Sequence, residues 1–342
     1  MSLKTQILKL LQENKGAYIS GSALAEELEV SRSAIWKAVE SLRAEGYGIL
    51  AATKKGYLLS NAGSGGGALS KAGIEAFIKT AGVFDVETRK IITSTNTVLR
   101  ELATKGAKEG RVLAAEGQTS GKGRLGRQFH SPEGHGAYFS LLLRPGDMLQ
   151  RTGGKAGDES LMTTAAAVAA ARAIEEVFDV RVGIKWVNDL FLGERKICGI
   201  LTEAIMDMEN GSVESAILGI GINITMPDEG YPAAIGSIAA PIAGRSHGID
   251  DRRCRLIAST LDNFWVFYEN LAKREFLDEY RSRSIVLGRD IYVVRGDEYK
   301  PARALGIDDE CKLVVRYENG ETAAIGTGEV SVRTTDKRQV KQ

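Results

Sequence analysis

The stretch Gly121-Lys122-Gly123-Arg124-Leu125-Gly126-Arg127 packs three glycines and three cations into seven residues. Glycine lets a backbone adopt conformations closed to other residues and approach a ligand closely. The cations and exposed N–H groups of such a loop favour an anionic ligand, although a solvated basic turn has the same composition. Before it, Arg111-Val112-Leu113-Ala114-Ala115-Glu116 reads as a short strand. After it, Gly136-Ala137-Tyr138-Phe139-Ser140-Leu141-Leu142-Leu143 reads as another. The loop is therefore expected between two strands and not in a floppy linker. No Gly-Lys-Ser/Thr closes it as a Walker A motif would, and a strand follows where a dinucleotide fingerprint needs a helix.

At 342 residues the chain is too long for one ordinary core and points to two or three domains. Its 43% hydrophobic and 26% charged residues are those of a soluble globular protein. No run is long enough to span a bilayer, and Met1-Ser2-Leu3-Lys4 opens a polar amphipathic helix, not a secretion signal. Cys198, Cys254 and Cys311 are odd in number and far apart. That argues against a disulfide framework or a zinc cluster and fits a reducing cytoplasm. A formal net charge of +1 means that any nucleic-acid site must be a local patch.

Residues 1–60 read as a winged helix-turn-helix. Leu3, Ile7, Leu10 and Leu11 fall on one helical face, and Ser22 through Leu28 forms a second short helix. Ser31 is a good N-cap for a third, in which Ile35, Val39 and Leu42 repeat at helical spacing and Gly46 is a C-terminal stop. The third helix would be the reader, with Arg32, Ser33, Trp36, Lys37, Glu40 and Arg43 on its outer face. Ile49 to Leu59 alternates around Lys54-Lys55-Gly56 like a β-hairpin wing. The wing cations would meet phosphates, while Arg32, Ser33 and Lys37 reach base edges. A small helical domain that binds protein is the alternative, and Trp36 has a second reading as a partly buried packing residue. Residues 61–68, Gly- and Ser-rich, form a flexible linker by composition.

From Leu69 the chain alternates helices with strands, an α/β or α+β pattern. Ile74-Glu75-Ala76-Phe77 begins a helix, Val98 to Ala103 belongs to another, and Leu161 to Phe178 is a buried, alanine-rich helix. Strands are expected at Val182 to Trp186, Phe191-Leu192, Lys196 to Ala204 and Ser215 to Ile224, with a hairpin turn at Gly193-Glu194. Several polar clusters stand on this frame. Ser94-Thr95-Asn96 marks a helix start and Gln118 precedes the glycine loop. Lys185-Trp186-Val187-Asn188-Asp189 ends an apolar strand. Lys196 to Leu201 and Gly219 to Asn223 carry glycines inside strands, which mark close backbone approach of a ligand. Singly, each cluster reads equally as a cap, a turn or a solvated strand end.

Jointly, in this order and rough spacing, the clusters resemble the biotin protein ligases. The helix-turn-helix with its Lys54-Lys55-Gly56-Tyr57 wing looks like the bifunctional type, which is also the biotin operon repressor. The C-terminal piece from Gly288 to Arg333, ending in Thr327-Gly328-Glu329-Val330-Ser331-Val332-Arg333, resembles the SH3-like barrel that closes these enzymes. The resemblance covers essentially the whole chain. It implies a multi-domain α+β protein: a winged helix-turn-helix over 1–60, a linker over 61–68, an α/β biotin- and ATP-binding catalytic domain with a mixed sheet over 69–283, and an SH3-like domain over 284–335.

It also implies a cytoplasmic, ATP- and magnesium-dependent enzyme that forms biotinyl-5′-adenylate and passes biotin to one lysine of a biotin carboxyl carrier domain. As a homodimer carrying the adenylate, the bifunctional type binds operator DNA. A biotin-sensing repressor without ligase turnover is the alternative, which intact Lys185, Arg124 and Arg127 disfavour. Attack of one anion on another requires cations that stabilise the transition state, and those three residues are the candidates. By resemblance, Ser94, Thr95, Asn96, Gln118, Gly121, Arg124, Lys185, Trp186 and Gly199 would hold biotin. Lys122, Arg127, Phe129, Asn188 and Asn223 would hold the nucleotide. Arg32, Ser33, Lys37, Arg43, Lys54 and Lys55 would contact DNA. The magnesium ligands are not assigned.

Three positions depart from the commonest pattern. Lys122 stands where arginine is usual, which keeps the charge and loses the bidentate fork. Val187 replaces a proline and Phe129 a tryptophan, leaving a smaller aromatic shield. The flexible stretch Gly121 to Phe129 is expected to close over the adenylate and protect it from water.

Overall fold

The structure, a computed structural model, describes residues 1–60, 69–152, 161–207, 212–243, 251–326 and 330–334. The linker read at 61–68, residues 327–329 of the C-terminal motif and residue 335 lie outside these. The first 60 residues build α1 (Leu3–Glu13), α2 (Gly21–Glu27), α3 (Arg32–Ala44) and an antiparallel hairpin of β1 (Ile49–Ala52) and β2 (Gly56–Leu59). Ser2, Ser20 and Ser31 cap the three helices, accepting from the N–H groups of Thr5, Ala23 and Ala34 at 3.2, 3.0 and 3.2 Å. Each satisfies a donor that the first turn cannot. α2 thus starts at Gly21 and not at Ser22, because Ser20 takes the cap. Ile7, Leu8, Leu11, Leu24, Ile35, Val39 and Leu42 fill the core of this unit.

The next helix, α4 (Lys71–Phe77), shares that core through Ala72 and Ala76. It starts at Lys71, three residues before the Ile74 start read from the sequence, because Ser70 is the cap and accepts from the Gly73 N–H at 3.0 Å. Thr5 also donates to Glu75 at 3.0 Å, and Tyr47 meets Ser70 at 2.6 Å. The helical unit therefore sits directly against the second domain.

That domain is built on β3 (Asp85–Ile92), α5 (Thr95–Thr104), β4 (Arg111–Gln118), β5 (Gly136–Leu143), α6 (Pro145–Thr152), α7 (Met162–Phe178), β6 (Gly183–Lys185), β7 (Asp189–Leu192), β8 (Arg195–Met206), β9 (Val213–Asn223), α8 (Ala233–Gly236), α9 (Arg252–Glu269) and α10 (Leu277–Arg283). Its strands form a seven-stranded mixed sheet, β3-β4-β5-β9-β8-β7-β6, in which β3 runs parallel to β4 and the other pairs are antiparallel. The expected β7–β8 hairpin is present, with Gly193 at φ 61. Apolar α7 and α9 pack on one face of the sheet in a single large core. α5 covers part of the other face through Leu99 and Ala103, over Leu113, Leu142 and Ile217.

The C-terminal part is an antiparallel five-stranded sheet in the order β13-β12-β11-β10-β14, formed by β10 (Asp290–Arg295), β11 (Glu298–Ile307), β12 (Leu313–Tyr317), β13 (Thr322–Ile325) and β14 (Val330–Thr334). Its core is continuous with that of the central domain.

Candidate active site

One cavity of about 300 Å³ opens on the sheet face that α5 only partly covers. The pleat explains why it is there. Along β9, Ala216, Leu218, Ile220 and Ile222 point into the large core, while Gly219, Gly221 and Asn223 alternate onto the other face. The glycines keep the floor low. A Cβ on Gly219 would lie 2.0 Å from Asn96 Oδ1, and one on Gly221 would lie 2.6 Å from the Phe129 ring. Gly199 on the neighbouring strand pairs with Gly221, so the low floor is two strands wide.

Polar groups from the start of α5 line one end. Ser94 is the N-cap residue, 2% exposed, and its hydroxyl makes no capping bond. The Thr95 N–H and Oγ1 donate to Gln118 Oε1 at 2.8 and 3.1 Å, and Gln118 Nε2 donates to Ser131 at 2.8 Å. Ser140 donates to Asn96 Oδ1 at 2.6 Å, and Asn96 Nδ2 donates to Glu203 at 2.8 Å. Both ends of the Asn96 amide are thereby engaged, so Asn96 braces the wall.

Cations gather at the opposite end. Arg124 donates to Asn188 Oδ1 at 3.2 Å, and Asn188 Nδ2 donates to the Ile200 carbonyl at 2.5 Å. Burial pulls the Arg124 guanidinium below its ordinary pKa, against the pull of Asp189, and Arg127 adds to the depression. An arginine that loses hydration but keeps its charge gains most from an incoming anion. Lys185 Nζ lies 5.4 Å from the Phe191 ring centre and Lys196 pairs with Asp189 at 2.6 Å, whereas Lys122 pairs at 3.4 Å with Glu203, the partner of Asn96 at the polar end. Arg127 is exposed at the mouth.

The glycine loop folds back on itself over this end. The Gly123 N–H donates to the Arg127 carbonyl at 2.7 Å, and the Phe129 N–H to Gly121 at 2.8 Å. Leu125, at its tip, takes a left-handed conformation at φ 56 and is 57% exposed. Phe129 lies over Gly199 and Gly221, edge-on to Tyr138 at 6.4 Å.

Ser94, Thr95, Asn96, Gln118, Lys122, Arg124, Arg127, Phe129, Lys185, Trp186, Asn188, Gly199 and Asn223 all border this cavity, so the structure brings together residues spread over 130 positions of sequence (94 to 223). One differs in placement from the sequence reading. Gly121 is buried beneath the loop, against Phe129 and Ser131, and does not line the cavity. Trp186 lines it with an apolar ring that is also part of the core, its N–H donated to the Cys311 carbonyl at 3.0 Å. The cavity also has walls that sequence reasoning missed: His130, and Tyr231 with Ile235 and residues 237–239 beyond β9; Lys196, which opens a cluster read from the sequence, lines it as well. Tyr231-Pro232 was the one aromatic signal there. Among the described residues no group of three or more His, Cys, Asp or Glu is placed to hold a metal ion.

On the N-terminal unit, Arg32, Ser33, Trp36 and Lys37 are exposed on α3, and Lys54 and Lys55 at the hairpin turn. Lys55 lies 5.9 Å from the Tyr18 ring centre. Arg43 differs from these. It donates to Glu40 at 2.6 Å and to the Ile49 carbonyl at 2.8 Å, tying the end of α3 to the wing.

Comparison with known proteins follows the same division. Residues 4–58 match the HTH domain family, residues 89–223 the Biotin/lipoate A/B protein ligase family, and residues 286–333 the Biotin protein ligase C terminal domain. The bifunctional ligase/repressor BirA of Bacillus spizizenii is 34% identical over 325 residues, covering 93% of this chain and 95% of that protein. BirA of Escherichia coli is 28% identical over 324 residues, with 94% and 95% covered. The biotin protein ligase from Aquifex aeolicus, solved in complex with biotin and ATP, superposes with a TM-score of 0.59 at 26% identity, over 73% of this chain and 99% of that one.

Proposed function

Because this chain belongs to the biotin protein ligase family, in its bifunctional ligase/repressor form, we propose that it activates biotin with ATP, transfers it to a carrier lysine, and represses transcription in response. One observation carries the chemistry. A polar, buried end formed by Ser94, Thr95 and Gln118 and a cationic end formed by Lys185, Arg124 and Arg127 share one glycine-floored cavity. A ligand with a neutral hydrogen-bonding ring, an apolar body and a terminal carboxylate fits that polarity.

In the first step a carboxylate oxygen of biotin bonds to the α-phosphorus of ATP, and pyrophosphate leaves with the broken P–O bond. Both reactants are anions, so the barrier is largely electrostatic, and preorganised cations lower it. Lys185 and Arg124 face the reacting groups, Arg124 held by Asn188. Arg127 and Lys122 meet the phosphates. In the second step the amine of the carrier lysine attacks the acyl carbon, and AMP departs. The incoming amine is the nucleophile, so no covalent intermediate with this chain is needed.

Magnesium enters as the counter-ion of the nucleotide substrate. Asp189 is the one carboxylate among the described residues lining the cavity, and Lys196 engages it, so the described lining offers no carboxylate cage for a resident magnesium. A biotin carboxyl carrier domain as acceptor, a homodimer as the repressing form, and a cytoplasmic location complete the proposal. The exposed wing cations Lys54 and Lys55 supply the phosphate contacts of the repressor, and Arg32, Ser33 and Lys37 on α3 reach base edges.

Biotin-dependent exchange of labelled pyrophosphate into ATP tests the first half. Exchange should require biotin and fall by about two orders of magnitude or more in Lys185→Ala, the usual scale for a lost charge-stabilising group. Tight biotin binding without exchange would overturn the ligase reading and leave a ligand-sensing repressor.

A further inference from the structure

We infer that Trp36 reads sequence in the DNA site, its indole meeting thymine methyl groups in the major groove. The inference rests on the proposal that the N-terminal unit binds operator DNA. The chain has three tryptophans. Trp186 and Trp265 are 4% and 6% exposed, whereas Trp36 is 55% exposed. Its place in α3 accounts for the difference. Ile35, Ala38, Val39 and Leu42 form the buried stripe, and Trp36 lies on the opposite face, one turn on from Arg32 and Ser33 and next to Lys37. A packing role would turn the ring inward, and the helix has turned it outward.

The surroundings indicate what covers it. Arg32, one turn back, and Lys37, the next residue, are exposed with the indole, and Lys54 and Lys55 stand exposed on the wing. The carboxylate of Glu40, on the same outer face, is paired with Arg43, whose guanidinium also reaches the Ile49 carbonyl. An apolar plate set among cations, with the nearby acid neutralised, complements a polyanion that carries apolar groups. Duplex DNA is that partner: phosphates rim the major groove, and the thymine C5-methyl is the apolar group on its floor. Lys54 and Lys55 on the wing would set the register on the backbone, Arg32 and Lys37 would reach neighbouring base edges, and Trp36 would discriminate thymine from the other bases.

The test uses the full chain with biotin and ATP, and duplexes enriched on it from a random-sequence pool. Trp36→Ala should weaken binding about tenfold or more, as loss of a base contact does. The slope of affinity against salt should stay at the wild-type value, because no phosphate contact is removed. Replacing the contacted thymines by deoxyuracil, which deletes only the methyl, should weaken the wild type several-fold and leave Trp36→Ala unaffected. Trp36→Phe should restore part of the loss. Equal affinity of wild type and Trp36→Ala, or equal sensitivity of both to deoxyuracil, would overturn the inference while leaving the repressor reading intact. If no duplex enriches on the wild type, both fall together.

Discussion

Gly219 and Gly221 act in the site by lacking a side chain. The pleat puts both on the ligand face, and any Cβ there meets Asn96 or Phe129. Gly221→Ala should push the Phe129 ring off the floor, with the ~1–3 kcal/mol cost of overpacking appearing as weaker ligand binding. Calorimetric titration with biotin and then ATP should show about ten- to hundredfold loss with little change in Tm. Arg124 offers a second test. It is tied back through Asn188, between β6 and β7, as Lys122 is tied to Glu203 on β8. Removing it in Arg124→Gly should let the adenylate escape before transfer. The variant should label bystander proteins with biotin faster than the wild type, and an unchanged adenylate half-life would count against a protective loop.

Among the elements, β8 and β4 do most to join parts that are distant in sequence. Glu203 on β8 accepts from Asn96 at the start of α5 and pairs with Lys122 of the loop at 3.4 Å and with Arg100 at 3.7 Å. Glu203→Gln should shorten the adenylate half-life. Its effect should overlap that of Lys122→Ala, so that the double variant loses less than the sum, by up to about 1 kcal/mol for a partly exposed pair. Glu116 on β4 is the corresponding joint on the core side. It accepts from the Leu69 N–H at 3.1 Å and forms a two-pronged ion pair with Arg253 of α9, which is 5% exposed. Arg253→Ala strands a carboxylate and should cost ~3–5 kcal/mol in urea unfolding.

For the whole molecule, pH reports how the helices on the core side are held. Arg283 bonds both oxygens of Glu175 at 2.6 and 2.7 Å, linking α7 to α10, and this holds the Glu175 pKa below its ordinary 4.5. Glu279, bonded by Arg172 and Arg283, is likewise depressed despite its burial. A carboxylate whose folded pKa lies below its unfolded value stabilises fully above the unfolded value, and the stabilisation disappears as pH falls through the folded value. Tm should therefore hold steady down to about pH 5 and drop below it. Glu175→Gln should lower Tm at pH 7 and converge on the wild type near pH 3. The C-terminal sheet contributes at this scale too. The Trp186 indole donates to the Cys311 carbonyl, and Tyr280 donates to the Val187 carbonyl at 2.9 Å. These bonds, one from the C-terminal part and one from α10 of the central domain, fix the segment that presents Lys185 and Asn188, and none of the described C-terminal residues lines the cavity.

Much of this was legible in the chain, for identifiable reasons. The Ser31 cap, the alternation of β9 and the apolar run of α7 are local signals, readable without tertiary contacts. β3, α6, α9 and α10 went unread. Asp85–Ile92 lies at the sheet edge with largely exposed residues and no clean alternation, and α9 mixes its apolar stripe with arginines that fold back on partners such as Glu116. The sequence by itself determined which residues are chemically able to act: the loop cations, Lys185, the Ser94-Thr95-Asn96 cap and the reading helix. Only the tertiary structure decided which of them are available. Asn96, Arg43 and the Trp186 indole are committed to internal hydrogen bonds, while Trp36 is turned to solvent. The physical reason is that a polar group's partner is set by which strand, helix or turn arrives beside it, and that depends on packing between segments far apart in the chain.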